Sequence, residues 1–103
     1  MPKKVLSLSK LIRSSKGVVI LLDVIRVITQ PNFVLLIEFE NSERRFFDMT
    51  AYIDQKPWNR LKAGNTFEGA FIENGTVAWP GNIDIDPETL YEYSTLLPRP
   101  LSR

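Results

Sequence analysis

The sequence has no cysteine and no histidine among its 103 residues. The first absence excludes disulfides, thiolate nucleophiles and cysteine-ligated zinc or iron–sulfur centres. The second excludes Ser-His-Asp and Cys-His catalysis and a histidine pH switch. Long apolar runs are missing too. Val18-Val19-Ile20-Leu21-Leu22 stops at Asp23, short of the roughly 20 residues that cross a bilayer and without the pattern of a secretory signal. The five glycines stand singly, so neither G-x-x-x-x-G-K-[ST] nor G-x-G-x-x-G, the loops that cradle phosphates, is present. An excess of one charge is also lacking: thirteen Lys and Arg against twelve Asp and Glu leave +1.

What is there is an ordinary globular mixture, 44% hydrophobic and 24% charged, of a length that suits one domain with one modest core. The near-neutral total conceals a split. Residues 1–16 carry Lys3, Lys4, Lys10, Arg13 and Lys16 and no acid, whereas the remainder has eight basic and twelve acidic groups. The chain therefore divides into a basic arm (1–16), a domain (17–93) and a Pro-rich tail (94–103). The arm is Ser- and Lys-rich, a composition shared with organelle transit peptides, but a cytoplasmic protein is the expectation. Val5, Leu8, Leu11 and Ile12 in the arm have near-helical spacing, broken by Leu6.

The domain reads as α+β: a small antiparallel meander, a second hairpin and short helices. Val18–Thr29 is rich in Val and Ile, and Phe33–Phe39 alternates so that Phe33, Leu35, Ile37 and Phe39 share one face. Val34 and Leu36 make its other face apolar as well, which predicts a central position. Arg44–Met49 is the returning strand, after turns at Pro31-Asn32 and 40–43. Thr50–Asp54 and Pro57–Lys62 suit short helical turns, with Trp58 and Leu61 facing the sheet. Phe67–Glu73 and Thr76–Trp79 flank Asn74-Gly75, the dipeptide favoured in two-residue hairpin turns. Asn74-Gly75-Thr76 also spells a glycosylation acceptor, but the turn accounts for it. Ile83 and Ile85 alternate with Asp84 and Asp86. Asp86 is a natural cap for a helix over Pro87–Tyr93, with Pro87 first and Glu88 in the opening turn.

Three constellations could carry chemistry. Asn82, Asp84, Asp86 and Glu88 offer alternating oxygens, as a hard cation would want. Pro87 and Tyr93 stand where a calcium loop needs Gly and Glu, so helix capping by Asp86 is favoured, and Asp84 and Asp86 remain the only metal candidates. A carboxylate hydrolase would draw on Asp48, Glu73, Asp84 and Asp86, of which no pair stands out. Arg44-Arg45 beside Phe46-Phe47 interleaves charge with rings, as nucleic-acid binders do, and would assist Lys3, Lys4, Lys10 and Arg13. Alternation sends Phe46 and Phe47 to opposite faces, however, and the body is net negative. Trp58, Trp79, Tyr91 and Tyr93 form an aromatic set suited either to a partner surface or to the core.

The stretch Asp23–Tyr93 resembles the bacterial domain-of-unknown-function family 2442. Pro31-Asn32-Phe33 running into Leu35-Leu36-Ile37-Glu38-Phe39, Glu43-Arg44-Arg45-Phe46-Phe47-Asp48, and Tyr52 carry part of the match. Most specific is Gly75-Thr76-Val77-Ala78-Trp79-Pro80 leading to Asp84-Ile85-Asp86-Pro87-Glu88-Thr89-Leu90-Tyr91-Glu92. Asn41-Ser42 and Gly81-Asn82 depart from the family's Asn-Gly turns, which touches turn chemistry alone. The resemblance implies no established activity. It implies small proteins encoded beside another small protein, some joined to a helix-turn-helix domain, and hence a regulatory or antitoxin-like role. The expectation is a protein-interaction module without a cofactor that binds another small protein or itself. Nucleic-acid binding through the arm is the alternative, and a carboxylate- or metal-dependent hydrolase is the third reading.

Overall fold

The computed structural model describes residues 11–14, 17–20 and 22–97. Strands β1 (Leu11–Ser14) and β2 (Gly17–Ile20) pair antiparallel, with Leu11 opposite Ile20. Leu11 and Ile12 thus lie in a strand, where their spacing suggested a helix; Val5 and Leu8 fall outside the described residues. A helix this short is marginal in water, and a stretch rich in Val and Ile favours extended backbone.

The expected meander follows as β3 (Val24–Gln30), β4 (Val34–Phe39) and β5 (Arg44–Asp48), with β4 central. The Val/Ile-rich stretch is not one strand but two, parted at Leu22 and Asp23. Asn32 and Phe33 both take positive φ, 65° and 59°, so the turn absorbs Phe33 and the strand starts one residue later. Leu35, Ile37 and Phe39 are buried, as alternation requires. A fourth strand comes from the expected tail: β9 (Thr95–Leu96) pairs with β5, placing Arg45 opposite Leu96 and Phe46 opposite Thr95.

The second sheet joins β6 (Phe71–Glu73), β7 (Thr76–Trp79) and β8 (Ile83–Ile85) in that order. Asn74 and Gly75 have φ of 54° and 77°, the left-handed turn that this dipeptide favours. Phe67 does not begin the strand. It lies in a 3-10 turn, Phe67–Gly69, that turns its ring inward against Trp79 and Phe33. Further 3-10 turns span Met49–Ala51 and Trp58–Lys62, the latter entered through a cis Lys56-Pro57 bond. Helix α1 (Pro87–Glu92) is capped by Asp86, whose carboxylate accepts from the Thr89 amide and hydroxyl at 3.1 and 2.9 Å.

The inner faces of the two larger sheets and α1 enclose one core around Leu35, Ile37, Phe39, Phe47, Val77, Trp79, Ile85 and Leu90. The Val24 amide donates to the Gly75 carbonyl at 2.8 Å and stitches the sheets together at the hairpin turn. The described chain is β-rich: two antiparallel sheets of four and three strands, the β1–β2 pair, and one α-helix of six residues. The helical share of the α+β expectation is correspondingly small. Among the described residues no helix is long and apolar enough to cross a membrane.

Candidate interaction surface

The inner face of the four-stranded sheet is covered by the core, and among the described residues no element covers its outer face. Register aligns three cross-strand rows there. The middle row runs Ile28–Leu36–Phe46–Thr95, one residue from each strand. Ile28 is 48% exposed and Phe46 40%, and Leu36 lies half-buried between them. On one side is a charged row, Arg26–Glu38–Arg44; on the other is Gln30–Val34–Asp48. Arg26 is paired with Glu38 at 3.1 Å, whereas Arg44 has no ion pair among the described residues. A groove of about 190 Å³ runs between Arg26, Ile28, Leu36, Glu38 and Arg44. The face as a whole carries two positive and two negative groups.

The sequence-predicted residues are scattered relative to this face. Arg44 and Phe46 lie on it, but alternation turns Arg45 to the other side. Its guanidinium sits 4.2 Å over the Tyr91 ring and binds Glu43 at 3.1 Å, while the Tyr91 hydroxyl donates to Glu43 at 3.2 Å. That closed set anchors α1 to β5, so Arg44 and Arg45 make no joint basic patch. Trp79 is 1% exposed and donates its indole N–H to the Phe67 carbonyl at 2.9 Å. It is a core residue and offers nothing to a partner. Trp58 is half-buried, edge-on to Tyr52, with its N–H on the Asp84 carbonyl at 2.9 Å. Only Tyr93, 66% exposed, stands free of the core. Arg13 lies in β1, and Lys3, Lys4 and Lys10 fall outside the described residues.

The family model for a protein of unknown function, DUF2442, matches residues 24–95. The chain belongs to the DUF2442 family. The match opens at the start of β3 and closes within β9, so it takes in both larger sheets and α1 and leaves out the β1–β2 pair. No curated protein and no solved structure matches the chain.

Within the DUF2442 domain the acidic candidates do not converge. Asp48 caps the turn at Met49–Ala51, accepting from the Thr50 amide and hydroxyl at 3.0 and 2.7 Å, and these bonds hold its carboxyl below the usual range. Asp86 is engaged at α1. Glu73 and Asp84 border a shallow groove of about 340 Å³ on the outer face of the second sheet, away from Asp86. Among the described residues no three acidic groups are placed to hold a metal ion.

Burial, with the Glu43 bond second, raises the Tyr91 hydroxyl above the usual value of 10.0. A raised pKa means that the folded state favours the neutral phenol. The stabilisation is therefore complete below about pH 10 and lost as pH rises through the higher folded value. Thermal melts taken on both sides of that value should show a steeper alkaline loss in the wild-type chain than in Tyr91→Phe. Equal slopes would contradict the anchoring role. Tyr52, also raised by burial, leaves a residual loss in both.

The middle row escaped the sequence reading. Its signal was present in β4, where Val34 and Leu36 make the second face apolar; the central position explains why both edges pair, but not why that face lacks a cover.

Proposed function

We propose that this DUF2442 chain is a protein-binding module whose contact surface is the outer face of the four-stranded sheet. The reading rests chiefly on the Ile28–Leu36–Phe46 row, an uncovered apolar stripe with a polar rim on each side. Apolar area so framed, with an aromatic near its middle, has the anatomy of an interface core and rim. The balance of two positive and two negative groups suits a protein better than a polyanion. Binding is also the better use of a chain without histidine or cysteine whose acids serve as caps or stand apart. A regulatory or antitoxin-like role would work through the same face.

A photo-crosslinking phenylalanine analogue at position 46, expressed in living cells, tests the reading. Polypeptide adducts from position 46, and none from exposed position 68, are expected. Absence of protein adducts, or adducts to nucleic acid, would overturn it. The five cations of residues 1–16 favour a second reading, nucleic-acid binding by the arm. It requires that removal of those residues abolish low-salt retention on immobilised DNA or RNA, and unchanged retention would refute it.

A further inference from the structure

Charge placement on the outer face narrows what can cover it. Each of the three rows crosses β3, β4 and β5, and the two flanking rows differ in character. One reads positive–negative–positive (Arg26, Glu38, Arg44); the other reads neutral–neutral–negative (Gln30, Val34, Asp48). Two identical faces meet only through a two-fold axis lying in the plane between them, because a closed pair is isologous. Two orientations of that axis preserve the sheet lattice.

An axis along β4 sets Glu38 against its own copy and Arg26 against Arg44 of the other chain. Both oppositions are between like charges. An axis along the middle row reverses strand direction instead and keeps each strand over its own copy. Ile28, Leu36 and Phe46 then meet themselves, and Arg44, which has no ion pair among the described residues, lies opposite Asp48 of the other chain, twice by symmetry. Arg26 and Glu38, already paired at 3.1 Å, come over uncharged Gln30 and Val34. The aligned packing of two sheets tilts the strands by about 30°, a displacement that the length of an arginine side chain spans.

We infer that the partner on this face is a second copy of the chain, stacked sheet on sheet with its two-fold axis along the Ile28–Leu36–Phe46 row. This rests on the reading of the face as a protein contact and names its occupant. The face extends four strands across and about six residues along, about 15 by 20 Å at usual strand spacing and rise. Each copy then covers about 300 Å² and the pair about 600 Å², well below the roughly 1,200 Å² at which standard specific interfaces begin, so the pair is weak and separates on dilution.

Sedimentation equilibrium of the full chain, from low micromolar to near-millimolar concentration, reads the inference. The wild-type chain should pass from one-chain to two-chain mass and go no higher. Phe46→Lys should remain at one-chain mass throughout, with a melting curve that matches the wild-type chain's at low micromolar concentration, where neither pairs. Arg44→Asp and Asp48→Arg should each fail to pair alone, since each places like charges opposite, while their equimolar mixture recovers the two-chain mass. Should Asp48→Arg not fold, because Asp48 caps the following turn, Arg44→Asp still decides, and undiminished pairing by it would overturn the assigned axis. One-chain mass at every concentration, or pairing untouched by Phe46→Lys, would overturn self-association on this face. One-chain mass combined with position-46 adducts to a different polypeptide overturns the second copy and leaves the protein contact standing. One-chain mass with no adducts overturns both.

Discussion

Trp79→Ala is expected to leave the domain largely unfolded at ambient temperature. The indole is 1% exposed, stacks on Phe67 at 6.1 Å between ring centres, and lies in register with Ile83 across β7 and β8. Truncating a buried Trp to Ala costs about 3–5 kcal/mol through lost burial and the cavity left behind. The Phe67 carbonyl, which now accepts the indole N–H, also loses its partner, for about 1–3 kcal/mol more. Domains of this size hold only about 5–15 kcal/mol in total. Trp79→Phe keeps a ring but not the donor and should fall between the two. Urea unfolding checks the series, and a wild-type midpoint for Trp79→Ala would contradict the buried placement.

Gly75→Ala is expected to be the most damaging of the small substitutions. Gly75 sits at φ 77°, where a side chain costs about 1–2 kcal/mol. An added Cβ would also come within 2.5 Å of an Asp23 carboxylate oxygen, 2.8 Å of its Cγ and 3.3 Å of its Cβ. Swinging the carboxylate aside relieves only part of this, because Asp23 precedes Val24, whose amide is bonded to the Gly75 carbonyl. A loss of about 2–3 kcal/mol is expected, combining the left-handed penalty with a strained joint between the sheets. Gly64 is the internal comparison. Its φ is 54° but nothing lies within 4 Å of an added Cβ, so Gly64→Ala should cost only about 1 kcal/mol. Equal midpoints for the two variants would show that the contact at Asp23 carries no energy.

Features governed by neighbouring residues were legible in the sequence. The alternation of β4, the Asn74-Gly75 turn, and the Asp86-Pro87-Glu88 helix start each depend on local backbone chemistry; the turn and the helix start stand where they were expected, and β4 begins one residue late, at Val34. The same alternation that parts Phe46 from Phe47 also parts Arg44 from Arg45, so the arginine pair was never one patch. Thr95–Leu96 could not be read as a strand, since two residues acquire that character only by lying beside β5, fifty positions back. The inward turn of Phe67 likewise depends on Trp79 and Phe33 being there to receive it. The candidate face was least legible of all. Ile28, Leu36 and Phe46 are ordinary strand residues in the sequence, and their meaning arises from register across three strands and from the core lying wholly on the other side.

The measurement that bears most directly on the central claim is an isotope-filtered NMR spectrum of a mixture of labelled and unlabelled chain at high concentration. Contacts crossing between copies should come from the Ile28 and Leu36 methyl groups and the Phe46 ring, each to its own counterpart along the axis, and should vanish in Phe46→Lys. Crossing contacts confined to other exposed rings such as Phe71 or Tyr93, or none at all, would contradict it.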